Sequence, residues 1–211
     1  MFRDFLIALL MLTNFTLVAT SRINKAIQVT VIQGVILGML PIAMGLGRHV
    51  HILLMVAAAI TVKAWLIPYL FRRALRTVKI HREVAPNVGF TASLILCALG
   101  TGLSLLLTSN LPLAPGNENS LFVPASLSTL LTGFLLLISR RKALTQVVGY
   151  LVLENGIYLF GLLLIEEMPL LVETGILLDL FVGIFVMGIV INHIAVAFDS
   201  TDTRHLAELK D

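Results

Sequence analysis

The sequence predicts an all-α, polytopic membrane protein with seven transmembrane helices, its N-terminus outside and its C-terminus cytoplasmic. Three observations predict it. Of 211 residues, 58% are hydrophobic and 13% charged, about half the charged share of a soluble domain. The apolar residues gather into runs of the roughly 17–25 residues needed to cross hydrocarbon. The cations between those runs fall overwhelmingly on one side, as the positive-inside rule requires.

The runs cover roughly residues 2–20, 26–46, 52–71, 88–108, 121–139, 143–165 and 169–197. Together they make one integral membrane domain over 1–211, with a four-helix part at 1–108 and a three-helix part at 121–211. The first run follows Arg3 and precedes the small residues Ala19, Thr20 and Ser21, which imitates a signal peptide. More positive charge follows it (Arg22, Lys25) than precedes it, so a retained, N-out helix is expected. Asn14 within it implies a side packed against protein. The third run carries Lys63 and Pro68, and the fourth holds Cys97, the one cysteine. The seventh is long enough to tilt or to project into the cytoplasm.

Seven spans place the termini on opposite faces. Loops one, three and five and the tail carry Arg22, Lys25, Arg72, Arg73, Arg76, Lys79, Arg82, Arg140, Arg141, Lys142, Arg204 and Lys210. That is twelve cations against two, Arg3 and Arg48, on the other face. Loop four contains Pro112, Pro115, Gly116 and Asn117, a turn composition. The cations at 72, 76, 79 and 82 could extend the third helix as a basic stripe, facing anionic lipid or an acidic partner subunit. The net charge of +3 is therefore a topology signal and gives no reason to expect nucleic-acid binding. One cysteine excludes a disulfide within the chain and a cysteine-held iron–sulfur or nickel–iron centre. No Ser–His pair, metal-protease motif or phosphate-binding glycine loop is visible, and the pair His49/His51 and the lone His193 read as interfacial or hydrogen-bonding residues.

Lys63, Glu154 and Asp179 each lie near mid-membrane depth. A charge there costs on the order of 2.5–3.5 kcal/mol, so such residues must pair, face a bundle interior or line a wet path. Lys63 is about 18 Å of helix from His51 and about 13 Å from Arg72, too deep to snorkel easily. Pro68 removes the hydrogen bond to the Ala64 carbonyl and predicts a kink beside it. Glu154 has Tyr150 and Tyr158 four residues to either side, on its own helical face. Asn155 adds a polar neighbour, and Gly149, Gly156 and Gly161 permit close helix approach. A carboxylate between hydroxyls can pass protons through hydrogen bonds and water. Glu173 lies about 9 Å nearer the outer face than Asp179 and about 120° around the helix from it, so the two need not serve one partner. Static ion pairs that only glue helices together are the alternative.

The stretches QVVGYLVLEN (146–155), VETGILLDLFVG (172–183) and ITVKAWLIP (60–68) resemble hydrogenase-4 component E, a membrane subunit of formate hydrogenlyase-type complexes. The last ninety or so residues are also similar to the K subunit of respiratory complex I and the C subunit of multisubunit cation/proton antiporters. In that wider family, one membrane glutamate lies in the second of three helices and another in the third. Glu154 matches the first and Glu173 the second, with Asp179 an addition of the hydrogenase-type pattern. The resemblance implies a non-catalytic subunit of an oxidoreductase complex in the inner membrane. It implies no cofactor in this subunit and a hetero-oligomer with antiporter-like and quinone-chamber-like subunits. Lys63, Glu154, Asp179, Glu173, Tyr150 and Tyr158 would then serve proton (or Na⁺) translocation. A non-translocating scaffold and an antiporter subunit remain open at this stage, and the first four spans have no counterpart in the three-helix subunits.

Overall fold

A computed structural model of the chain describes residues 2–45, 57, 60–77, 87–109, 121–162, 181 and 188. Among these residues every regular element is helical. Helix α1 spans Phe2–Ala19 and α2 spans Ile23–Ala43. The chain is broken between them by Arg22, which is extended at φ −106 and ψ 121. The second helix thus starts at Ile23, three residues before the expected 26. Asn24 and Lys25 form an exposed first turn, and a lysine there can cover apolar surface with its stem while its ammonium reaches water. Past the end of α2, Gly45 takes φ +82, a left-handed conformation that costs glycine nothing.

The third run is helical over the described residues 60–77, with a change of register inside it. Residues Val62–Leu66 form a π-helical turn, which passes into α3, Ile67–Thr77. In the π turn the Ile67 amide bonds to the Val62 carbonyl. The next bond in that register would come from residue 68, a proline with no N–H, so the register cannot continue. The perturbation predicted at Pro68 is therefore a widened turn just before it, and Lys63 sits within that turn. Helix α3 carries Arg72 and Arg73, both exposed, past the end of the apolar run.

Helices α4 (Phe90–Ser109), α5 (Phe122–Ser139) and α6 (Ala143–Gly161) follow. Arg140 and Lys142 are both extended, so α5 and α6 turn back on each other as a tight antiparallel pair. Helices α1, α2, α4 and α5 are long and apolar enough to cross a membrane. Apart from Phe181 and Gly188, both helical, the seventh run lies outside the described residues. Glu173, Asp179 and His193 lie outside them with it, as do His49 and His51.

Glycine sets the closest contacts. A Cβ at Gly133 would stand 2.5 Å from the Leu153 backbone nitrogen, and one at Gly156 would stand 2.7 Å from that of Leu130. One at Gly149 would stand 2.8 Å from the Leu137 nitrogen. Helices α5 and α6 therefore touch backbone to backbone, the packing that small residues permit between membrane helices. On α2, Gly34 makes room for a side chain instead, since a Cβ there would stand 2.8 Å from Lys63 Cβ.

These contacts enclose two apolar clusters. One gathers Leu17, Val18, Ile23, Phe71, Leu136 and Val148 at the end of the bundle near Arg22 and Lys142. The other gathers Leu6, Leu10, Leu37, Phe122 and Leu159 at the opposite end. Along α1, α2, α5 and α6 a short polar stretch separates the two, and Glu154 lies in that layer.

Candidate functional site

The layer is built from one or two residues per helix. Helix α1 contributes Asn14, α2 Gln33, the π turn Lys63, α5 Thr129, and α6 the adjacent Glu154 and Asn155. All are buried, with Asn14, Gln33 and Thr129 at 0% exposure and Glu154 at 1%. Lys63 Nζ donates to Glu154 Oε1 at 2.9 Å and to Asn155 Oδ1 at 2.9 Å. Tyr158 lies one turn along α6 with its ring centroid 5.7 Å from the same ammonium, a cation–π distance.

From Asn155 the hydrogen bonds continue away from the ion pair. Asn155 Nδ2 donates to Gln33 Oε1 at 3.3 Å, and Gln33 Nε2 donates to Asn14 Oδ1 at 2.8 Å. Asn14 Nδ2 donates to Thr129 Oγ1 at 2.9 Å, and that hydroxyl donates to the Ala125 carbonyl at 2.7 Å. The chain crosses four helices. It is held between two dry clusters, where satisfied hydrogen bonds are strong and unsatisfied ones costly.

Beside Lys63 is a cavity of about 10 Å³, lined among others by Thr30, Pro68, Phe71, Val148 and Asn155. That is close to the smallest space that holds one water. It lies on the Arg22 and Lys142 side of the ion pair, where Phe71 and Val148 belong to the first apolar cluster.

Of the six residues the sequence singles out, the structure brings Lys63, Glu154 and Tyr158 together. Tyr150 is half-buried on the same α6 face and packs against the first apolar cluster. Glu173 and Asp179 are outside the described residues. The sequence does not single out Gln33 or Thr129. Each is a single neutral polar residue in an apolar run, and neither creates the energetic demand that marks a buried charge. Asn14 is packed against protein, as its position implied.

A second buried cation stands at the α5–α6 turn. Arg140 is 1% exposed and donates from Nη2 to the Val18 carbonyl at 2.8 Å, at the C-terminal end of α1. Its guanidinium carbon is 4.9 Å from the centroid of the Phe90 ring. Burial pulls its pKa below the ordinary arginine value. The arrangement neutralises the negative end of α1 and ties that end to α5.

Sequence comparison relates the chain to known proteins. The chain is 28% identical over 211 residues to the uncharacterized protein Rv0085 of Mycobacterium tuberculosis, covering 99% of this chain and 96% of that one. It is 30% identical over 162 residues to hydrogenase-4 component E of Escherichia coli K12, covering 76% of this chain and 74% of the relative. The component E of Shigella flexneri matches to the same extent. The chain belongs to the hydrogenase-4 component E family. No family model and no solved structure matches it significantly. In this component E family member, the groups able to exchange a proton in the described layer are Lys63 and Glu154, with Tyr158 beside them. Their pairing admits two neutral-sum arrangements, ammonium with carboxylate or amine with carboxylic acid, which differ by the place of one proton.

Proposed function

We propose that this chain is a membrane subunit of a complex I-like, energy-converting nickel–iron hydrogenase of the formate hydrogenlyase type (group 4), and that it takes part in proton translocation. Family membership supports the host complex. The observation that carries the transport reading is the Lys63–Glu154 pair: two oppositely charged groups from separate helices, 2.9 Å apart and 7% and 1% exposed. A second proton arriving at the neutral-sum pair would leave ammonium beside carboxylic acid, so the pair changes net charge by one when it loads. Redox chemistry in peripheral subunits would shift the local field and set when loading is favourable. Glu154 is the relay carboxylate and Lys63 tunes its proton affinity, because opposite charge favours a carboxylate and burial disfavours it.

In this reading Tyr150 and Tyr158 flank the relay, and Glu173 and Asp179 extend it laterally or outward along the seventh run. A space of about 10 Å³ adjoins Lys63 on the side that the cation distribution assigns to the cytoplasm. The three-helix part at 121–211 takes the place of the complex I K-type subunit. Antiporter-like and quinone-chamber-like subunits are the neighbours, the cell inner membrane is the location, and the redox cofactors belong to other subunits. Proton pumping by reconstituted complexes carrying Glu154→Gln tests this. Loss of pumping in fully assembled complexes is expected, and undiminished pumping would overturn the relay role.

A second reading is favoured by the hydrogen-bonded chain and the glycine contacts, which make the pair part of a fixed core. There the subunit is a non-translocating scaffold. Lys63→Ala separates the two: failure of assembly supports the scaffold, and assembled complexes that no longer pump support the relay.

A further inference from the structure

The hydrogen bonds from Thr129 to Lys63 have one direction along their whole length. A hydroxyl has one proton to donate, and that of Thr129 goes to the Ala125 carbonyl at 2.7 Å. Its oxygen can then only accept, so the Asn14 group facing it must be the amide NH₂, as observed at 2.9 Å. With Nδ2 turned to Thr129, Asn14 presents Oδ1 to α2, where Gln33 Nε2 donates to it at 2.8 Å. Gln33 in turn presents Oε1, which accepts from Asn155 Nδ2 at 3.3 Å. Asn155 is left with Oδ1 toward the π turn, where it accepts from Lys63 at 2.9 Å. Each primary amide has a donor end and an acceptor end. Reversing any one of them would set donor against donor or acceptor against acceptor at both of its contacts.

We propose that Thr129, Asn14, Gln33 and Asn155 form a polarity-locked amide chain that decides which atom of Asn155 faces Lys63, making them positioning residues for the Lys63–Glu154 pair. The Lys63 ammonium at one end can only donate and the Thr129 oxygen at the other can only accept, so a threonine on α5, with no hydrogen bond of its own to either charged group, reinforces the meeting of the ammonium with an oxygen and not a second NH₂. The chain does not conduct protons. Amide N–H groups do not release protons near neutral pH as hydroxyls, carboxyls and waters can, so a run of three amides interrupts any path through it. Its contribution is orientation, and it confines proton exchange to the Lys63, Glu154 and Tyr158 end of the layer.

The test uses the full-length protein, ¹⁵N-labelled at lysine, in lipid bilayers. The side-chain nitrogen of Lys63 is followed by solid-state NMR and assigned among the five lysines by its disappearance in Lys63→Met. Thr129→Val keeps the side-chain shape and removes the hydroxyl, whereas Thr129→Ser keeps the hydroxyl and removes the methyl. The Lys63 signal is expected to move or split in Thr129→Val and to hold its wild-type position in Thr129→Ser. An unmoved signal in Thr129→Val overturns the proposal. So does an equal shift in both variants, which would mean that packing carries the effect. If Thr129→Val does not accumulate as folded protein, Gln33→Met cuts the chain on α2 and is read in the same way: a displaced Lys63 signal supports the lock and an unmoved one overturns it. The readout is a resonance and not transport, so a failed pumping assay would leave this result standing.

Discussion

Lys63 and Glu154 are 91 residues apart in the chain and 2.9 Å apart in the bundle. Removing one member of such a pair leaves the other charged and buried, a loss of about 3–5 kcal/mol. Removing both leaves no stranded charge. Lys63→Met and Glu154→Gln should therefore each lower thermal stability markedly in detergent. The double variant should lose clearly less than the two single losses combined. A double-mutant cycle on unfolding midpoints measures this, and additive losses would mean that the two groups do not interact.

The α5–α6 contact makes a sharper claim about packing. At Gly133 an added Cβ meets the backbone of Leu153 at 2.5 Å, while at Gly102 it meets nothing within 4 Å. Gly133→Ala must push the helices apart and disturb the placement of Glu154 and Asn155. Gly102→Ala should be neutral or stabilising by up to about 1 kcal/mol, since alanine loses less backbone freedom than glycine in a helix. Melting curves of the two variants side by side decide it, and equal destabilisation would refute the close-contact account.

The sequence made some of this legible and hid the rest, for physical reasons. Apolar run length located α1, α4 and α5 to within a couple of residues, because a membrane helix must bury its backbone bonds over a fixed thickness. Run length puts the start of α2 at residue 26 because Lys25 reads as loop, whereas the helix starts at Ile23 and a lysine tolerates the first turn. Lys63 and Glu154 stood out because a charge in hydrocarbon is expensive wherever it lies. Gln33 and Thr129 did not, because a neutral polar group costs little until its partner is known, and partners come from packing. The π turn was foreshadowed only by Pro68. That residue announces a disturbed hydrogen-bond register but does not say whether the helix bends or widens.

Arg140 and Lys63 are both buried cations, and they should respond differently to the same substitution. Lys63→Met removes the ammonium that faces a buried carboxylate at 2.9 Å. Among the described residues, Arg140→Met strands only the Val18 carbonyl at a helix end and removes a charge whose Nε and Nη1 have no hydrogen-bond partner there. The lost hydrogen bond to a charged group is worth about 1.5–3 kcal/mol, and relief of the desolvation penalty offsets much of it. Arg140→Met should thus cost much less than Lys63→Met. Comparing their unfolding midpoints checks the ranking, and the reverse order would show that the arginine is the more important tie.

The cation distribution predicts the orientation of the whole layer. Cys97 is buried, so Cys97→Ser provides a background in which single new cysteines can be labelled with a membrane-impermeant thiol reagent. Ser21→Cys and Lys142→Cys stand at the end of the bundle assigned to the cytoplasm and should label in inverted vesicles but not in intact spheroplasts. Asn117→Cys, in the fourth loop expected from the sequence, should show the opposite pattern. Twelve cations against two leave little room for the inverse arrangement, because each lysine or arginine retained on the cytoplasmic side adds to the bias. The outcome also fixes the sense of the site. The small space beside Lys63 faces the Ser21 and Lys142 end, so labelling of those two positions from inside would put that space on the cytoplasmic side of the Lys63–Glu154 pair.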